Sequence, residues 1–298
     1  MVSSVDFTCT EAANSPVKSR VLALMASRVR FNLVAPRRSK YRQSAVTING
    51  SVRWGMSLED RIFNATQQTG STTMPISEIK TILHQLLLLF DTLHERGVVH
   101  GRLSAAELIL IGRKRAQRVV VSNPNFAHTP APPKRNQFGD DLDERNIASV
   151  SPNEETMSPQ LICCNPATSA DDIFAIGCFA ATMLTGVAPF TGTSASHRLF
   201  LIQFHLGNIP ALPAVKTPLF ARIPPPQHAL GGGKGTLPVL ATHNNKQQFS
   251  NQRNDTELRD TAYFLDGLLH PSATHRFTAK QALECPFFKR GGGQSGEK

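Results

Sequence analysis

Apolar residues recur at helical spacing most clearly between residues 77 and 96, where Ile79, Ile82, Leu83, Leu86, Phe90 and Leu93 fall on one face. Ser77 is placed to cap this helix, Glu78 complements its positive end, and Gly97 supplies the stop. A second helix is expected over 170–185, "ADDIFAIGCFAATMLT", ending at Gly186. Beyond its two leading acids it is apolar nearly all round, so it belongs in a core with neighbours on most sides. An amphipathic helix follows at 256–269, and Thr278 and Gln281 stand at capping-box spacing after it. Shorter β-like runs are "RFNLVAP" at 30–36, "SAVTINGSVRW" at 44–54, "LIL" at 108–110 and "RVVV" at 118–121. The first two are expected to pair as two strands.

Between these elements the pattern lapses. Residues 123–158 carry repeated Pro and Asn with mixed charge and read as loop. Residues 210–256 are rich in Pro, Gly, Asn and Gln, as a flexible insertion would be. Its "GGGKGT" is no phosphate loop, because Lys234 is followed by Gly235 and no strand feeds it. Residues 291–298 form a tail.

Composition narrows the class. Hydrophobic residues make up 40% of the 298 and charged residues 18%, a globular balance. No apolar run is long enough to span a membrane, and Asp6 and Glu11 oppose a targeting presequence. The five cysteines, Cys9, Cys163, Cys164, Cys178 and Cys285, are odd in number and without metal-site spacing. They read as thiols of a reducing compartment, so an intracellular, cytoplasmic location is expected. The net charge is +10, and residues 1–54 hold nine Lys and Arg against two acids. Such a segment can meet nucleic acid or simply be a solvated face. With only Tyr41 and Trp54 among its basic residues as stacking platforms of the larger kind, the solvated face is the stronger reading and nucleic acid the weaker one.

The stretch "VVHGRLSAAELIL" at 98–110 changes the picture. It lies between the first helix and a strand, and a long polar segment and a buried helix opening on Asp171-Asp172 come after it. "ADDIFAIGC" carries Asp172 and Gly177 at the spacing of a D-x-W-S-x-G helix, with Phe174 for the Trp. "SPQ" at 158–160 stands where A-P-E would, and "HPSATHRFTAKQALECPFF" closes the series with Arg276, Thr278, Pro286 and Phe287 in register. Together, over about residues 55–290, these motifs resemble the C-terminal lobe of a eukaryotic protein kinase. The resemblance implies an α+β, protein-kinase-like fold: a mainly helical C-lobe at 55–290 and a truncated or degenerate N-lobe remnant at 1–54.

It also implies where the chemistry should be, and there the residues differ. Aligned from His100, the family's loop Arg falls on Gly101, the catalytic Asp on Arg102 and the Lys on Ser104. The metal-binding Asn falls on Glu107, and the Asp-Phe-Gly triplet on Asn123-Pro124-Asn125. Phosphoryl transfer needs a carboxylate to receive the hydroxyl proton and anionic oxygens for magnesium. Arg102 brings a permanent cation instead of a base, and Asn123 is a poorer magnesium ligand than Asp. Glu107 alone could hold a metal. No G-x-G-x-x-G precedes the loop, and Lys18 and Lys40 lack the strand context of a phosphate-binding lysine. Ile109 sits where the family lays an aliphatic chain under adenine. His100, Asp172, Gly177 and Arg276 are expected to be structural, with Gln160 giving Arg276 a neutral partner instead of the family's glutamate.

The expected function is therefore a catalytically inactive kinase-like domain, a pseudokinase, that scaffolds or regulates another protein in signalling. It needs no cofactor. The rival is an unorthodox active kinase using ATP, magnesium, Glu107 and an acid from Asp140, Asp141, Asp143 or Glu144. Ser149, Ser151, Thr156 and Ser158 are expected to be exposed on a docking loop.

Overall fold

In a computed structural model, residues 31–32, 43–48, 51–68, 74–112, 117–122, 155–163, 165–192, 194–207, 209 and 253–289 are described. Five strands form one antiparallel sheet in sequence order: β1 Phe31–Asn32, β2 Gln43–Ile48, β3 Ser51–Ser57, β4 Leu108–Ile111 and β5 Arg118–Val121. The run at 44–54 is thus a hairpin and not a single strand, because β2 pairs with β3 from Ile48↔Ser51 to Gln43↔Met56. Only Asn49 and Gly50 link the two, and Asn-Gly is a strong short-range hairpin signal. The position between Trp54 and Gly55 falls within β3, so the strand carries the N-terminal segment directly into the sheet of the larger lobe. Gly55 is needed there: a Cβ on it would lie 2.5 Å from Ile109 Cγ2 and 2.7 Å from the Leu110 carbonyl oxygen.

The helices are α1 Leu58–Gln68, α2 Ile76–His94, α3 Pro159–Ile162, α4 Ser169–Thr185, α5 Ala195–Leu206, α6 Arg253–Leu268, α7 Ala279–Leu283 and α8 Pro286–Lys289. The apolar face read from the sequence for α2 is buried at every position. Its start is corrected. Pro75 is the N-cap, its carbonyl accepting from the Glu78 and Ile79 N–H groups at 2.9 and 3.0 Å, and Ser77 caps nothing. Proline's fixed φ suits the entry to a helix, so no side-chain cap is required. Helix α4 is the hub. It is buried along nearly its whole length, including both leading acids, and stops at Gly186 in the left-handed region at φ 77°. It packs against α2 and α6. Helix α6 begins at Arg253, earlier than its apolar pattern suggests, because its first turn is polar. One core cluster runs from Leu58 through α2 and α4 to Phe287. Phe264 and Phe287 stack at 4.4 Å within it. Cys163, Cys178 and Cys285 are buried and not joined in a disulfide, while Cys9 and Cys164 lie outside the described residues.

Two expectations about exposure differ from the structure. Ser158 is fully buried. It caps α3 by accepting from Leu161 N–H at 3.1 Å and donates to the Asp171 carboxylate. Thr156 is half-buried and donates to the Leu103 carbonyl at 2.7 Å. Polar composition suggested solvent, but these hydroxyls satisfy groups of the interior. Ser149 and Ser151 lie outside the described residues, as does the "GGGKGT" stretch.

Candidate functional site

The loop at 98–110 is held from beneath by one buried carboxylate. Asp172, in the first turn of α4, accepts from the His100 N–H at 2.9 Å and from the Gly101 N–H at 2.7 Å. His94, at the end of α2, adds its Nε2 at 3.0 Å. The tie between His100 and Asp172 therefore runs through the backbone of His100. The imidazole is fully buried, packs edge-on against Phe90, and accepts from the Arg102 N–H at 3.3 Å. Gly101, at φ 77°, lets the chain turn over the carboxylate.

Beyond this anchor the loop lines a cavity of about 740 Å³. Arg102 is exposed at its wall. Ser104 caps a short 3-10 helix, Ala105–Glu107, by accepting from the Ala106 N–H at 3.3 Å. Glu107 closes that helix, lines the cavity, and takes the Ser122 N–H on its carbonyl at 2.8 Å. Glu59 and Glu155 join the lining from α1 and from the turn before α3. Ile109 is fully buried on β4 against Gly55 and is not among the residues lining the cavity. Asn123 and Pro124 lie outside the described residues, as does the acidic cluster at Asp140, Asp141, Asp143 and Glu144.

The described donor set does not fit a magnesium ion bridging phosphates. Hard divalent cations require several oxygen ligands converging on one point, and the carboxylates that line the cavity, Glu59, Glu107, Glu155, Asp171 and Asp172, do not converge so. Among the described residues no group of three or more His, Cys, Asp or Glu side chains could hold a metal ion.

Behind the cavity the polar interior is organised by Arg276. It is buried, yet its guanidinium donates to the His270 carbonyl at 2.9 Å, the Ala170 carbonyl at 2.8 Å and Gln160 Oε1 at 2.9 Å. The neutral partner expected in Gln160 is in place. The charge is answered by Asp171, 3.9 Å away, and by the face of Phe174, whose ring centre lies 4.9 Å from the guanidinium carbon. Burial pushes the Arg276 pKa down to about 10, with Asp171 opposing the fall. Burial also pushes the Cys178 thiol up to about 12, against the pull of Arg198 and Arg276. Gly177 is glycine for packing: a Cβ there would come 2.7 Å from Leu269 Cδ2 and 3.0 Å from Leu268 Cβ.

Sequence reasoning found His100, Asp172, Gly177 and Arg276 and missed His94, Arg198 and the Arg61–Glu78 pair. The pair is bidentate, with Arg61 Nε and Nη2 2.9 and 2.7 Å from the two Glu78 oxygens. Glu78 therefore serves a neighbouring helix as well as its own terminus. Nothing local marks these residues, since their partners are 17 positions away for Glu78 and 78 for His94.

The family model for the protein kinase domain matches residues 53–288. A relative is the striated muscle preferentially expressed protein kinase of Danio rerio, 26% identical over 144 residues. That match covers 45% of this chain and 4% of the relative, so the chain spans a small part of that protein's length. The buried Asp172 anchor, the loop above it, the Gln160–Arg276 contact and a family match over most of the chain lead to one assignment: the chain belongs to the protein kinase domain family.

Proposed function

We propose that this kinase domain does not transfer phosphate and acts by binding another protein, as a scaffold or regulator. The observation that carries this reading is Arg102. The loop is held in a defined conformation by Asp172, and at the position of the proton-accepting carboxylate it presents a guanidinium to the cavity. A group that stays charged at neutral pH cannot take a proton from a hydroxyl. Among the described residues Glu107 has no two acidic, His or Cys side chains grouped with it as the metal on the transferring phosphates would need.

Thermal denaturation of the full chain, titrated with ATP with and without magnesium, tests this. A ligand at about one hundred times its Kd stabilises a folded protein by about 2.7 kcal/mol. Under this reading magnesium adds nothing to whatever ATP does, and no phosphate reaches a generic acceptor protein. Magnesium-dependent stabilisation together with phosphotransfer would sink it and return Glu107 to the role of metal ligand.

A further inference from the structure

Gln160 is held at both ends of its amide by one loop. Its Nε2 donates to the Pro271 carbonyl at 2.8 Å, and its Oε1 accepts from Arg276 Nη2 at 2.9 Å. Gln160 lies in α3, and Leu161 beside it lines the cavity together with Thr156 and Met157. The grip on α3 is therefore only as firm as the loop 270–276. Two histidines shape that loop. The His270 carbonyl takes Arg276 Nε at 2.9 Å, and the His270 ring meets the Ser272 N–H with its Nδ1 at 3.1 Å. A backbone N–H can only donate, so Nδ1 serves here as an acceptor and carries no proton. A proton on it would set two donors against each other, and the Ser272 carbonyl, at 3.3 Å, is the longer alternative. Ser272 is buried, where a lost acceptor costs most. The His275 ring centre is 5.4 Å from that of His270, and its Nδ1 is 3.1 Å from Ser272 Oγ.

We propose that the loop 270–276 is a pH-sensitive latch: acidification protonates His270, breaks its bond from Ser272, and loosens the grip of Pro271 and Arg276 on α3 and on the cavity wall beside it. The charged and titratable groups around His270 are His275 and Arg276 on its own loop and Asp266 in the last turn of α6. On α4, Asp171 faces Arg276 at 3.9 Å, and α3 carries no ionisable side chain from Pro159 to Ile162. Burial lowers the His270 pKa from the ordinary histidine value. The backbone of Ser272 opposes that fall, and His275 and Arg276 add to it against the pull of Asp266. The folded loop therefore takes up a proton less readily than an opened one. Its stability is full above about pH 6.5 and is lost as the pH falls through that value. The proposal goes beyond the scaffold reading and does not depend on it, because the latch acts on α3 whether or not the domain transfers phosphate.

The test is amide hydrogen exchange of the full chain, read by peptide mass and expressed as protection relative to a free amide at the same pH. The N–H groups of Leu161, Ile162, Cys163 and Asn165 all bond within the segment 158–165. In wild type their protection is expected to fall by about threefold or more from about pH 7.5 to about pH 5.5, and by more than that of α2. H270N offers Ser272 an acceptor that does not titrate, so the fall should be lost. H275N removes one neighbouring cation, so the fall should shrink. Q160L cuts the grip itself, so protection of 158–165 should be low at both pH values. The proposal is overturned if wild type shows no fall beyond that of α2, or if H270N falls as wild type does. Where H270N does not fold, a fall in H275N equal to that of wild type overturns it. It is equally overturned if Q160L keeps the wild-type protection and its pH dependence, since the latch would then not act through Gln160.

Discussion

Single groups decide how the 98–110 loop is held. Asp172 takes two backbone donors of that loop, and each buried donor left without an acceptor costs about 1–3 kcal/mol. D172A is therefore expected to lose about 2–6 kcal/mol in urea denaturation, and D172N distinctly less, because an amide oxygen can still accept one bond. H94A should cost only about 1 kcal/mol, since the imidazole is partly exposed and the two backbone contacts survive it. Equal losses for D172A and H94A would show that the side-chain contact, and not the backbone pair, holds the loop. The thiols offer an independent check. With Cys178 raised to about 12 and Cys285 to about 11 by burial, both remain protonated at pH 8. Alkylation at that pH, read by peptide mass, should spare both until denaturant is added. Rapid labelling of Cys178 in the native protein would contradict the closed core around α4.

Elements are positioned by what their surfaces lack as much as by what they carry. At Gly177 the missing Cβ lets α4 approach Leu268 and Leu269 at the end of α6. G177A gains about 1 kcal/mol of helix propensity and loses about 1–3 kcal/mol to overpacking, so a net loss is expected. A Tm equal to or above wild type would place α6 farther from α4 than the structure has it. At Gly55 the obstacle includes a backbone oxygen, which cannot rotate away. G55V should therefore separate β3 from β4, and amide hydrogen exchange would then accelerate in both strands while α2 stays protected. The apolar stripe of α2 was legible because one face meets the core along its whole length. The hairpin of β2 and β3 is less legible, since β-like residues run up to the Asn-Gly pair on both sides and also fit one continuous strand.

The whole molecule is built on one contiguous cluster from Leu58 to Phe287. Its members come from all eight helices and from β4 and β5, so none of these elements buries its apolar face alone. Heating monitored by far-ultraviolet and near-ultraviolet circular dichroism should give coincident transitions. Two resolved transitions would mean that part of the helical lobe has its own core. No helix among the described residues is long and apolar enough to cross a membrane.

While α1, α3 and α5 were not legible in it, the sequence by itself determined α2, α4 and α6, the buried character of α4, the capping box at Thr278 and Gln281, and the family. Each rests on periodicity or on residues a few positions apart, which local spacing can express. Tertiary structure alone decided which polar side chains were interior. Ser158 was expected outside and is a buried cap; Arg198 resembles any arginine of a surface helix and is enclosed. The physical reason is that burial of a polar group depends on what other segments bring to it. For Arg276 they bring acceptors from 160, 170 and 270, and for Arg198 the described residues bring enclosure without an acceptor.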